Sequence, residues 1–66
     1  MKLAEKIIKL RKQRAWSQEE LAEKVDVSRQ SVSKWESGSS IPDINKLIIL
    51  SEIFSVSTDF LLILYI

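Results

Sequence analysis

Only two residues, Asp26 and Val27, separate a segment patterned as a helix from the serine that opens the next one. So short a link forces a sharp turn and makes the second and third helical segments a helix-turn-helix candidate. Both segments start in the same way. Trp16-Ser17-Gln18-Glu19-Glu20-Leu21 supplies an N-cap serine, a glutamate three residues on to close a capping box, and a Trp16–Leu21 hydrophobic staple. Val27-Ser28 followed by Val32, and Val56-Ser57 followed by Leu61, repeat the cap and the staple. Pro42-Asp43 gives a further start with Asp43 as the cap, and Gly38 suits the left-handed end of a helix closing at Ser37. The pattern predicts five helices, near 2–14, 17–25, 28–37, 43–54 and 57–64, in an all-α domain.

Sixty-six residues are enough for one domain, here taken as 1–66, with no second lobe to enclose a substrate. One Gly and one Pro argue against a turn-rich β fold, and a 45% hydrophobic composition supplies a core. The absence of Cys and His removes disulfides, the usual zinc sites, thiol chemistry and imidazole acid–base chemistry. Glu19, Glu20 and Glu23 read as a solvated acidic face. No base, nucleophile or metal cluster is recognisable, so the expectation is a non-enzyme without cofactor or metal. No apolar run is long enough for a membrane span and the amino terminus has no signal-peptide pattern, which points to a soluble cytoplasmic protein.

The formal net charge of +1 conceals a gradient. Residues 1–18 sum to +5, 19–27 to −3, 28–40 to +1 and 41–66 to −2. Local fields, rather than the total, decide whether a polyanion is drawn to a surface.

At roughly 100° per residue, Leu3, Ala4, Ile7, Ile8 and Leu10 share one arc of the first helix. Lys2, Lys6, Lys9, Lys12 and Gln13 share the opposite one. Arg11 falls inside the apolar arc, where an unpaired guanidinium is costly, and Glu36 at the border of the third helix is its expected partner. That pair is structural. On the third helix Val32 and Trp35 face inward, whereas Gln30, Ser33, Lys34 and Ser37 lie opposite, with Arg29 on the flank. This outer face has no acid and no bulky apolar group. Arg and Lys suit the two acceptors of guanine, and Gln suits the acceptor–donor pair of adenine, in a major groove. A plain solvated face uses the same residue types; the two-residue turn and the capped start favour DNA reading.

The stretch Leu10-Arg11-Lys12, Ser17-Gln18-Glu19-Glu20-Leu21-Ala22 and Val27-Ser28-Arg29-Gln30-Ser31-Val32-Ser33-Lys34-Trp35-Glu36-Ser37-Gly38 closely resembles the Cro and lambda-repressor-like helix-turn-helix family. Pro42-Asp43, Leu47, Leu50 and Phe54-Ser55-Val56-Ser57 resemble its later helices, so the likeness covers residues 3–62. The resemblance implies a five-helix domain that binds double-stranded DNA and regulates transcription, usually as a repressor dimer on a palindromic operator. It implies base reading by Arg29, Gln30, Ser33 and Lys34. It implies phosphate contacts from Ser17, Gln18, Lys34 and Ser37, and an Arg11–Glu36 ion pair. Asp26 stands where the family commonly has Gly, and Trp16 where Leu is more usual.

Apolar residues exceed what five short helices can bury. Ile44, Leu47, Ile48, Leu50 and Phe54 share one face of the fourth helix, whereas Ile49 and Ile53 fall among Asn45, Lys46 and Glu52. The chain then closes on Phe60-Leu61-Leu62-Ile63-Leu64-Tyr65-Ile66. Exposed apolar surface of this kind marks an interface. The expectation is a homodimer built on segment 57–66, with Ile49, Leu62, Ile63, Tyr65 and Ile66 in the contact and reading helices about 34 Å apart. The alternatives are packing of this tail on a downstream domain, an antitoxin-type or other protein-binding role, and a helical assembly module without DNA contact. Residues 63–66 are compatible with helix or strand.

Overall fold

The computed structural model describes residues 2–63. Five helices follow one another: α1 (Leu3–Gln13), α2 (Gln18–Val25), α3 (Arg29–Ser37), α4 (Ile44–Phe54) and α5 (Thr58–Leu62). There is no strand among the described residues. None of these helices is long and apolar enough to cross a membrane.

The serine caps set the starts. The Ser17 hydroxyl accepts from the Glu20 amide at 3.0 Å while the Glu20 carboxylate accepts from the Ser17 amide at 2.8 Å. Ser28 accepts from Ser31 N–H, Asp43 from Lys46 N–H and Ser57 from Phe60 N–H, so the starts of α2 to α5 each have a side-chain-bonded amide.

The ends of α1 to α4 share one geometry. Ala15, Asp26, Gly38 and Ser55 all adopt positive φ, between 56° and 81°. In each case the next residue reaches back five positions with its amide: Trp16 to Arg11, Val27 to Ala22, Ser39 to Lys34 and Val56 to Ser51. This is the bonding of a Schellman ending, and it places an apolar residue over the finished helix at Trp16, Val27 and Val56. Ser17, Ser28 and Ser57 follow immediately as caps. Three connections are thus the same device, a left-handed residue, an apolar plug and a capping serine, which is why two elements turn sharply with almost no loop.

The core is Ile7, Leu10, Leu21, Ala22, Val25, Val32, Trp35, Leu47, Leu50, Phe54 and Leu61. Helix α3 packs on α2 and α1, α4 lies against α2, and α5 closes onto α4 and α1. Trp16 stacks on Phe54 with ring centroids 5.8 Å apart, with Arg14 and Lys24 over its ring.

Two expectations are corrected here. Lys6, assigned to the solvated arc of the first helix, is only 3% exposed. Its ammonium donates to the carbonyls of Phe60 and Ile63 and sits over the Phe60 ring, satisfying the end of α5 instead of facing water. On α4 the core face is narrower than the wheel reading allowed. Ile44 and Ile48 are exposed, whereas Ile49 and Ile53 are half-buried against the core. The neighbours of α4 are α2 and α5; Leu47, Leu50 and Phe54 are buried in the core, and the Ile44 edge is left uncovered. Helix α5 stops at Leu62 rather than at 64, with Ile63 extended. Tyr65 and Ile66 lie outside the described residues.

Candidate nucleic-acid interface

The geometry of α3 begins at its own turn. Asp26 takes the left-handed conformation at φ 62°, ψ 51°, and Ser28 caps the new helix two residues later. Asp visits this region at lower cost than most residues, so the turn forms without Gly. Val32 and Trp35 anchor the inner side of α3, which leaves Arg29, Gln30, Lys34 and Ser37 exposed and Ser33 half-buried. Arg29, Gln30 and Lys34 therefore project together from one open face.

A second cluster fixes how that face is presented. Arg11 in α1 donates through Nε to Glu36 Oε2 at 2.6 Å and through Nη2 to Oε1 at 2.9 Å, a two-pronged contact. Its Nη1 donates to the carbonyl of Trp16 at 2.8 Å. Gln18, the first residue of α2, donates its amide to Glu36 Oε1 at 3.0 Å. One carboxylate therefore ties α1, the start of α2 and the last turn of α3 into a rigid unit. Burial disfavours its charge, but the hydrogen bonds from Arg11 and Gln18 and the charges of Arg11 and Lys12 outweigh that. The Glu36 carboxyl is held below the ordinary range. The bond to Glu36 likewise raises Arg11, against its own desolvation. The sole acid of α3 is thus neutralised internally, and a polyanion approaching this helix meets no exposed carboxylate on it.

The other candidate residues are placed as follows. Ser17 is exposed and its hydroxyl is occupied by the Glu20 amide. The Ser37 hydroxyl donates to the Lys34 carbonyl and pairs with Ser39 Oγ at 2.9 Å. Leu62 and Ile63 are exposed at the end of α5, whereas Ile49 is half-buried against the core. Ser28, the expected cap of α3, and Ser31 were given no DNA-contacting role by the sequence reading; their hydroxyls pair at 3.2 Å at the exposed start of α3. Their polarity beside Val32 was the available signal.

A family model described as helix-turn-helix matches residues 7–61, which include α2, α3 and the Arg11–Glu36–Gln18 cluster. The chain belongs to the helix-turn-helix family. Among curated relatives, the HTH-type transcriptional activator BcrR of Enterococcus faecalis is 45% identical over 62 residues, 94% of this chain and 30% of that protein. The HTH-type transcriptional regulator ImmR of Bacillus subtilis is 34% identical over 62 residues, covering 94% of this chain and 49% of its own length. The chain thus spans less than half of the length of each of these two relatives. Among solved structures, the P22 c2 repressor in complex with a synthetic operator superposes with a TM-score of 0.89 at 32% identity, covering 94% of both chains. SinR, in complex with DNA, gives a TM-score of 0.81 at 32% identity over 89% of this chain and 95% of that one. The fold is the lambda-repressor-like arrangement of five helices.

Proposed function

We propose that this chain is the double-stranded DNA-binding part of a cytoplasmic transcriptional regulator, with α3 lying in the major groove. The observation that carries the reading is the exposed face of Arg29, Gln30 and Lys34 on a helix whose only acid is internally paired. Arg29, Gln30 and Ser33 read base edges; Lys34 reads a base or takes a phosphate. Gln18, already braced against Glu36, retains a second amide N–H for a phosphate, beside Ser17 and Ser37. Binding as a dimer to a palindromic operator, with Leu62 and Ile63 in the contact between copies, makes it a repressor by occupying that site. No catalytic role is proposed.

Selection of duplexes from a random pool, followed by affinity measurement on variants, tests the roles separately. Arg29→Ala and Gln30→Ala relax preference at particular base pairs by about 1–3 kcal/mol without unfolding the protein. Gln18→Ala and Lys34→Ala weaken binding evenly across sequences, and Lys34→Ala flattens the dependence on salt. Parent-like binding by all four variants overturns the assignment.

A further inference from the structure

Helices α1 and α5 leave an open groove of about 160 Å³ between them, lined by Lys6, Lys9, Leu10, Gln13 and Phe60. Lys9 and Gln13 are exposed and form its rim; Leu10 is buried and Phe60 half-buried, so the walls are apolar. Lys6 is the unusual member. It is 3% exposed, its ammonium donates to the carbonyls of Phe60 and Ile63, and it lies 5.0 Å from the centre of the Phe60 ring. Carbonyl oxygens and a ring face orient an ammonium but bring no full negative charge, and a buried cation without a counter-charge is costly. Among the described residues no carboxylate pairs with Lys6 or Lys9. The two carbonyls take two of the three N–H groups of Lys6, which leaves one donor.

We propose that this groove binds a small organic monocarboxylate of about benzoate size. Charge complementarity selects an anion: two lysines and a side-chain amide line the space, and none of its lining residues is acidic. The apolar walls select the rest of the molecule. A bare inorganic anion leaves Leu10 and Phe60 wet, whereas a ring or a short branched chain covers them. Size sets the limit, since a cavity of about 150 Å³ holds benzene and drug-sized ligands need about 300–1,000 Å³. The carboxylate sits at the rim between the Lys9 ammonium and the Gln13 amide, which are one helical turn apart, and within the field of Lys6. Leu10 belongs to α1 and Phe60 to α5, so the occupant bridges the two helices and holds the short last one in place. No residue of α3 lines the groove, so a duplex on α3 leaves this site open.

The test titrates the 66-residue chain with sodium benzoate at constant ionic strength, followed by backbone amide NMR shifts. Benzoate saturates the site with a dissociation constant on the order of 1–10 mM, and the amides that move cluster at Lys6–Gln13 and in α5. Benzyl alcohol, a ring without the charge, and inorganic phosphate, a charge without the ring, each bind at least roughly fivefold more weakly. Lys9→Gln, a change at an exposed position that keeps the fold, weakens benzoate by about two- to fivefold, and Lys9→Glu weakens it further. Shifts that do not saturate, or that spread over all five helices, overturn the proposal. So does parent-like binding of benzoate by Lys9→Glu, or equal binding of either control compound. Displacement of benzoate by a saturating duplex assigns the rim to DNA and overturns it as well. A chain that takes benzoate but no duplex leaves this site standing and removes the DNA-binding reading alone.

Discussion

Glu36→Leu is the most informative single change, because one carboxylate joins three helices. The side chains of Arg11 and Glu36 are 12% and 6% exposed, so the pair is largely dehydrated. Removing the carboxylate leaves the guanidinium with the Trp16 carbonyl as its remaining partner and releases the Gln18 amide. Breaking a buried pair from one side costs about 3–5 kcal/mol. The retained Trp16 bond and the residual exposure of Arg11 put the expected loss near the lower limit, about 3 kcal/mol. A domain of this size has a total stability of roughly 3–10 kcal/mol, so the midpoint of thermal unfolding should fall by about 12–24 °C. Arg11→Leu should cost a similar amount, since it strands the buried carboxylate. The double variant, which buries no unpaired charge, should cost less than either single change. Urea unfolding followed by Trp16 and Trp35 fluorescence measures all four corners of the cycle. Costs that simply add, or a Glu36→Leu cost under about 1 kcal/mol, refute the account.

The pair also dictates a pH dependence. The folded-state pKa of Glu36 is depressed, so its contribution is fully present above the unfolded glutamate value of about 4.3. It is lost as pH falls through the lower folded value. Acid unfolding of Glu36→Leu should therefore show a shallower slope below about pH 4.3 than that of the parent; an identical slope excludes Glu36 as the titrating group. Ala15→Gly relieves a left-handed alanine at φ 58°. After allowing for the greater freedom of Gly when unfolded, it should stabilise by about 0.5–1 kcal/mol in urea unfolding. Lys6→Met leaves the Phe60 and Ile63 carbonyls without the ammonium and should cost about 1–2 kcal/mol. Hydrogen exchange should rise first in α5.

Helix starts were the most legible part of the fold, because a serine or aspartate cap is a local device that needs no tertiary information. All four predicted caps, Ser17, Ser28, Asp43 and Ser57, hold their amides. Helix ends were less legible. Gly38 announces a left-handed residue, but Ala15 and Ser55 do so only through the backbone, since their side chains carry no preference for that region. Burial on α4 was misjudged because a helical wheel gives the angular spacing of Ile44, Ile48 and Ile49 but not which neighbours arrive on which side. Lys6 was misjudged for a related reason. A lysine on a polar arc is solvated unless another helix ends above it, and the position of α5 is a tertiary fact. Arg11 was the converse case: a charge on an apolar arc requires a partner, and Glu36 was the acid at the right border.

Arg14 donates to the Phe54 carbonyl at the end of α4, and Lys46 to the Val25 carbonyl at the end of α2, just as Lys6 serves α5. With Arg11 held by Glu36, four of the ten basic side chains are turned to internal tasks. The abundance of cations near the amino terminus therefore overstates the valence this surface offers to a duplex. Fewer condensed counterions can be displaced per copy than ten cations would release, and occupancy should decline less steeply with electrolyte than that number implies.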